Sequence, residues 1–169
     1  MTRPTASTVF EEQRLDPRRH DRKAFSCGVD ALDRFLQQHA HQAMRRGVSQ
    51  TFVLVPADHT AAMAGFYTLA PAEASLTDLQ FGDVRPLPPY PVPCFRMGRL
   101  ARDQRWSGQG IGPLLLGCAV QRCLDAKRSV GGYALVVDAK DAAAAGFYLR
   151  HGFRAYRDTP GSLYLPLGG

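Results

Sequence analysis

The sequence predicts an α/β domain built on a mixed sheet with flanking helices. Three observations lead there. Short runs rich in β-branched and aromatic residues alternate with longer segments whose apolar residues recur at helical spacing. The run GYALVVDA, Gly132 to Ala139, is apolar enough for a strand buried on both faces, which is the signature of a parallel neighbour. A glycine-rich loop, RWSGQGIG, stands between a strand pattern and an apolar helix pattern. With 169 residues, the chain suits one domain with one sizeable core, residues 1–169.

The elements follow in order. Thr8 to Leu15 reads as a strand, closed by Pro17 and the basic cluster RRHDRK. Ser26 to Arg46 reads as an amphipathic helix, with Val29, Leu32, Phe35 and Leu36 on one stripe and Ala40 and Ala43 extending it. Gly47 is its C-cap, and Arg45 and Arg46 in the last turn complement the helix dipole. Thr51 to Val55 and Ala62 to Ala70 form a hairpin around Pro56, Asp58 and His59. Ala72 to Pro93 is proline-rich, with LPPYPVP near its end, and reads mostly as a long ordered loop or lid with room for a short helix. Cys94 to Ala101 is a strand and Gly110 to Lys127 an apolar helix. After Gly132 to Ala139, Asp141 N-caps a helix through His151, and Gly152 ends it. Phe153 to Tyr156 and Ser162 to Leu167 are the last strands.

Composition narrows the function. Net charge is +6, a surface that attracts polyanions such as nucleic acid, nucleotide phosphates or anionic lipid, although a basic domain without a charged partner has the same composition. Cys27, Cys94, Cys118 and Cys123 include no CxxC pair, and the five histidines make no ligand set, so no metal is expected and the thiols are read as reduced. The stretch MTRPTASTVFEEQRL lacks the apolar core of a leader, and no apolar run approaches membrane-spanning length. A cytoplasmic protein without a membrane partner is the expectation.

Gly108, Gly110 and Gly112 fall where a helix begins, followed by Pro113, which loses no helical bond in a first turn. Glycines let backbone N–H groups approach a ligand without an intervening Cβ, and the first N–H groups of a helix lack internal partners. Together they make a phosphate cradle at the positive end of a helix dipole. A glycine turn that binds nothing is the plain alternative. A P-loop is excluded because no GK[ST] follows. A dinucleotide fold fits poorly, since the loop arrives after four strands.

These residues resemble the GNAT family of acetyl-CoA-dependent N-acetyltransferases. RWSGQG, Arg105 to Gly110, resembles the family's pyrophosphate loop Q/R-x-x-G-x-G/A. RMGRLARD, Arg96 to Asp103, and AGFYLRHGF, Ala145 to Phe153, resemble the flanking landmarks. FSCGVDALDRFLQQHA, QTFVLV, AGFYTLAP, GRLARD and VVDAKD extend the likeness to the GNAT toxins of bacterial toxin–antitoxin pairs, over nearly the whole chain. The resemblance implies a single domain with a V-shaped splay between the strands beside the acetyl-CoA site. It implies acetylation of aminoacyl-tRNA, a ribbon-helix-helix antitoxin and a homodimer. It also places main-chain contacts to the pantetheine arm at Leu100, Ala101 and Arg102. The pyrophosphate falls to Arg105, Trp106, Ser107, Gly108, Gln109, Gly110, Ile111 and Gly112. Tyr148 takes the role of general acid. Where the family often has an Asn contact to the cofactor, this chain has Asp138, Ala139 and Lys140, and that contact stays open.

The chemistry of direct transfer needs a nucleophilic amine, a held thioester and a proton donor for the departing thiolate. A tyrosine, whose ordinary pKa is near 10, is protonated at neutral pH and can donate; a core aromatic is the alternative role for Tyr148. An α-amine, with a pKa near 8, is partly neutral at pH 7 and needs a base less than a lysine does. Asp103 and Asp138 are the carboxylates near the motifs, each also suited to capping or solvent. A main-chain N–H near Leu100 or Ala101 is the expected oxyanion donor. Cys94 and Cys118 are set aside as acyl carriers, lacking a paired histidine. Arg45, Arg46, Arg96, Arg99, Arg102 and Arg150 are the candidate tRNA contacts, each otherwise a solvated surface charge. Two other functions stay open: acetylation of a small amine or protein N-terminus, and a non-catalytic acyl-CoA-binding module.

Overall fold

The computed structural model describes residues 8–168. Of the stretch MTRPTASTVFEEQRL, read as lacking a leader's apolar core, Met1 to Ser7 lie outside them. In chain order the elements are β1 (Phe10–Arg14), α1 (Asp30–Arg34), a π-helical turn (Phe35–His39), α2 (Ala40–Arg45), β2 (Gln50–Pro56), β3 (Gly65–Ala74), α3 (Phe81–Val84), β4 (Val92–Arg102), a 3₁₀ turn (Gln104–Trp106), α4 (Ile111–Val130), β5 (Ala134–Asp138), α5 (Ala142–Arg150), β6 (Arg154–Ala155) and β7 (Ser162–Pro166). The strands form one mixed sheet, as the sequence predicts, in the order β1-β2-β3-β4-β5-β7-β6. By contacts the chain falls into two compact units, residues 1–68 with 99–116 and residues 69–98 with 117–169. β3, β4 and α4 contribute to both.

In the first unit, β1 lies antiparallel to β2, from Phe10 opposite Pro56 to Arg14 opposite Phe52. Its core gathers Leu36, Ala40, Val53 and Phe66, all fully buried, and Phe25 meets Phe66 edge-on at 5.4 Å. The long helix predicted from Ser26 starts four residues later. Gly28 takes a φ of +87°, a conformation glycine adopts without strain, and Asp33 Oδ1 accepts the Cys27 N–H at 2.9 Å, so the chain turns before it coils. The helix is also interrupted. Leu32, Leu36, Ala40 and Met44 recur every fourth residue and all face the same core. A helix of 3.6 residues per turn drifts about 40° at each such step. The π-helical turn, wider than an α-turn, takes up that drift and keeps the apolar row on the core.

Gly65 brings β3 close to its neighbours: a Cβ there would lie 2.6 Å from Leu115 Cδ1 and 2.8 Å from Ala101 O. The absent side chain is what lets the first turns of α4 rest on β3 and β4.

In the second unit, β5 is buried from Ala134 to Val137. It pairs antiparallel with β7 along its whole length, Ala134 opposite Pro166 to Asp138 opposite Ser162. Asp141 caps α5, its Oδ1 accepting the Ala144 N–H at 2.8 Å, and Gly152, at φ +91°, ends it. Several boundaries differ from the sequence expectation: β3 runs from Gly65 to Ala74, β4 begins at Val92, α4 runs to Val130, and β6 is only Arg154–Ala155. The stretch read mostly as a loop or lid holds α3, the short helix it had room for. α3 is tied down by contacts distant in sequence. Asp83 receives hydrogen bonds from Arg154 and from the Tyr164 hydroxyl, and the Gln80 N–H donates to that hydroxyl at 2.9 Å.

Candidate functional site

The site begins where β4 ends. Asp103 is 1% exposed, and its carboxylate is saturated. It accepts the Ser26 N–H at 3.0 Å, the Arg105 N–H at 2.8 Å, and the Arg105 guanidinium at 3.0 and 3.1 Å. Burial works against its charge, yet these hydrogen bonds outweigh it and hold the carboxyl below the usual carboxylate range. Asp103 is therefore the cap that folds the 3₁₀ turn and ties it to the chain at Ser26, a role that leaves it no free lone pair for a general base. The Trp106 N–H bonds to Asp103 O and the Ser107 N–H to Gln104 O. Trp106 packs edge-on against Phe10 at 5.2 Å.

This narrows the expected cradle. The amides of Arg105, Trp106 and Ser107 are used inside the turn, and the Arg105 side chain is committed to Asp103. Among the described residues, Gly108, Gln109 and Gly110 donate no hydrogen bond. The amides of Ile111 and Gly112, in the first turn of α4, have no helical acceptor. Gly108 and Gly110 stand at φ +77° and +73°, with no atom within 4 Å of where a Cβ would project. Five amides without an internal acceptor, at the positive end of a long helix, suit an anion such as a pyrophosphate.

β4 carries the next part. Its parallel ladder with β5 holds two residue pairs, Phe95 opposite Leu135 and Arg96 opposite Val136. The strand then continues to Arg102. Leu100 is half-buried, Ala101 buried and Arg102 exposed.

Tyr148, on α5, is 7% exposed. Its ring packs against Phe153 at 5.1 Å and edge-on against Phe147 at 5.3 Å. Among the described residues its hydroxyl has no hydrogen-bond partner. Burial pushes its pKa up to about 12. The side chain is thus both the core aromatic and a fully protonated donor.

The candidate arginines separate by environment. Arg45, Arg46, Arg102 and Arg150 are exposed. Arg96 pairs with Asp138 at 2.7 Å, and Asp138 also accepts the Ser162 hydroxyl at 2.7 Å, which makes that carboxylate a structural partner. Arg99 is half-buried, its guanidinium 3.6 Å above the Phe35 ring. Cys94 is buried, and burial raises its thiol pKa. Among the described residues no group of His, Cys, Asp and Glu could hold a metal ion, and no helix is long and apolar enough to cross a membrane.

One polar pair and one polar cluster lay beyond sequence reasoning. Tyr67, fully buried, donates to Glu12, and the Asp83–Arg154–Tyr164 cluster has no local signature. Their partners lie 55 to 81 residues apart.

No family model matches the chain. A tRNA-acetylating toxin of Mycobacterium tuberculosis is 35% identical to it over 145 residues, 86% of this chain and 85% of that protein. The chain belongs to the tRNA-acetylating toxins of the GNAT type. This toxin is accordingly an acetyltransferase. Among solved structures it resembles AtaT complexed with acetyl-methionyl-tRNAfMet, with a TM-score of 0.87 and 26% identity, covering 94% of this chain and 95% of that one. It also resembles a mutant of AtaT bound to the C-terminus of the antitoxin AtaR and acetyl-CoA, with a TM-score of 0.79 and 25% identity over 94% of this chain and 93% of that one.

Proposed function

We propose that this toxin transfers the acetyl group of acetyl-CoA to the α-amino group of aminoacyl-tRNA and so blocks translation, acting as one domain over residues 1–169. The observation that carries the chemistry is Tyr148: a buried ring, a hydroxyl without a partner and a pKa of about 12. Such a group stays protonated across the physiological range and is free to bond an incoming sulfur.

The amides of Gly108 to Gly112 hold the pyrophosphate. The main chain at Leu100, Ala101 and Arg102 holds the pantetheine arm, and a main-chain N–H at Leu100 or Ala101 faces the oxyanion. Arg45, Arg46, Arg96, Arg99 and Arg150 supply the basic surface for tRNA. The relatives' complexes with an acetylated tRNA and with an antitoxin support the substrate and the partner class. A ribbon-helix-helix antitoxin, a homodimer and a cytoplasmic location complete the proposal.

The test is acetyl transfer from labelled acetyl-CoA to a pool of charged tRNAs, with wild type and Tyr148→Phe in parallel. Label on the aminoacyl group, lost in the variant while acetyl-CoA still binds, is the expected result. No label on any tRNA retires the substrate assignment.

A further inference from the structure

Arg99 differs from every other arginine in the candidate tRNA set. Arg45, Arg46, Arg102 and Arg150 are exposed and already hydrated, and Arg96 is neutralised by Asp138. Arg99 is half-buried and has no carboxylate partner among the described residues. What holds it is Phe35. The guanidinium lies 3.6 Å over that ring. Phe35 in turn is only 7% exposed and stacks on Phe66, with 6.3 Å between centroids and 18° between planes.

The platform is built for this. Phe35 is the first residue of the π-helical turn, and such turns concentrate at functional sites because they displace one side chain from the regular helical track. Arg99 shares a strand face with Ala101, which joins the same core cluster as Phe35. It immediately precedes Leu100, where the pantetheine contacts and the oxyanion donor are proposed.

A cation–π contact offsets part of the desolvation of a guanidinium but uses only its face. The N–H donors on its edge remain, in a fork that matches two phosphate oxygens. A cation that has already lost water and has no internal counter-charge binds an anion more tightly than a solvated one does. The anion belongs to whatever carries the amine to β4. Resting on the substrate proposed above, we infer that Arg99, held over Phe35, binds the phosphodiester nearest the aminoacyl end of the RNA and sets how far the amine reaches along β4. The exposed arginines then supply general attraction, and Arg99 supplies register.

The test uses the full chain, with Arg99→Gln and Arg99→Lys, on two substrates: charged tRNA and the same aminoacyl group on adenosine, which carries no phosphate. The expected result for Arg99→Gln is a ten- to hundredfold rise in KM for charged tRNA, the scale of a lost charged hydrogen-bond pair. Its KM for acetyl-CoA and its turnover of aminoacyl-adenosine stay at the wild-type level. The slope of log affinity against log salt falls by about 0.7–0.9, the share of one phosphate contact. Arg99→Lys, which keeps charge without the fork, recovers part of the loss.

Equal loss on both substrates, or a loss of acetyl-CoA affinity, overturns the inference and makes the contact with Phe35 a purely structural one. Binding of uncharged tRNA at two salt concentrations decides the matter independently of turnover. If wild type acetylates no tRNA, the proposed function fails on its own. Arg99 is then judged by whether Arg99→Gln lowers RNA affinity and the salt slope together; equal affinity and slope overturn it.

Discussion

The guanidinium of Arg105 and the carboxylate of Asp103 are joined by two hydrogen bonds, at 3.0 and 3.1 Å, and the backbone N–H of Arg105 adds a third at 2.8 Å. The arginine that opens the pyrophosphate-loop pattern thus serves the fold of the loop. Asp103→Asn keeps the shape but loses the charge these donors need, and should cost about 1–3 kcal/mol in denaturant unfolding at pH 7. Asp103 has a folded pKa below its unfolded value. Its contribution is therefore complete above an unfolded pKa near 3.8 and fades as pH falls through the folded one. Wild type and variant should converge in that acid range. A constant gap at every pH would show that shape rather than charge carries the effect.

Gly110→Ala tests the cradle. The left-handed backbone, φ +73°, costs an alanine about 1–2 kcal/mol, while the space around it is open. Acetyl-CoA affinity should fall and RNA affinity should not. Calorimetric titration with each ligand separates the two, and an unchanged acetyl-CoA affinity would remove the loop from the donor site. Gly65→Ala should behave differently. Its Cβ would meet Leu115 and the Ala101 carbonyl at 2.6 and 2.8 Å, so its main effect is a loss of about 1–3 kcal/mol in stability.

Tyr148 predicts a pH profile. With its pKa at about 12, it sets no descending limb below about pH 10. The value of kcat/KM for an α-amine substrate should rise with pH through the amine's own pKa, near 8, and then stay flat. A fall between about pH 8 and 10 would point to a different acid.

Charge reversal at Arg45 and Arg46, exposed at the end of α2, should weaken tRNA acetylation and leave acetyl-CoA binding unchanged. Steady-state kinetics in each substrate is the measurement. Equal loss of both, or of neither, counts against a tRNA contact there.

His20 is 4% exposed. Its Nδ1 accepts the Asp16 N–H at 3.0 Å and its Nε2 pairs with Gln13 Oε1 at 2.9 Å, which suits the neutral ring. Burial lowers its pKa, opposed by Asp16. A lowered folded pKa means full stability above the unfolded value near 6.5 and progressive loss as pH falls from there through the folded value. Unfolding midpoints measured from about pH 7 to 5 should decline in wild type and decline less in His20→Gln. Parallel curves would assign the acid sensitivity elsewhere.

What the sequence made legible was local. The apolar run of β5, the Asp141 cap and the glycines ahead of α4 are each written within a few residues, in hydrophobic spacing or backbone chemistry. The partners of Asp103, Arg99 and Asp83 were not, because Ser26, Phe35 and Tyr164 come to them only through the fold. The break in the first helix could have been read. The repeat of four from Leu32 to Met44 is visible in the sequence, but counting apolar residues against a 3.6-residue template absorbs it as noise. The arginines looked alike as a list of charges; burial and pairing set them apart.

The π-helical turn is, in the arithmetic of insertion and deletion, one residue more than a continuous α-helix would hold. Deleting Gln37 or Gln38 would restore regular coiling without turning the rest: Leu32, Leu36, Ala40 and Met44 would then fall four, three and four apart, the spacing that keeps one stripe of an α-helix on the core. The same deletion between Ala40 and Met44 would rotate everything beyond it by about 100° and carry Met44 off that row. The helix can change length by one residue at the π-turn and keep its seat.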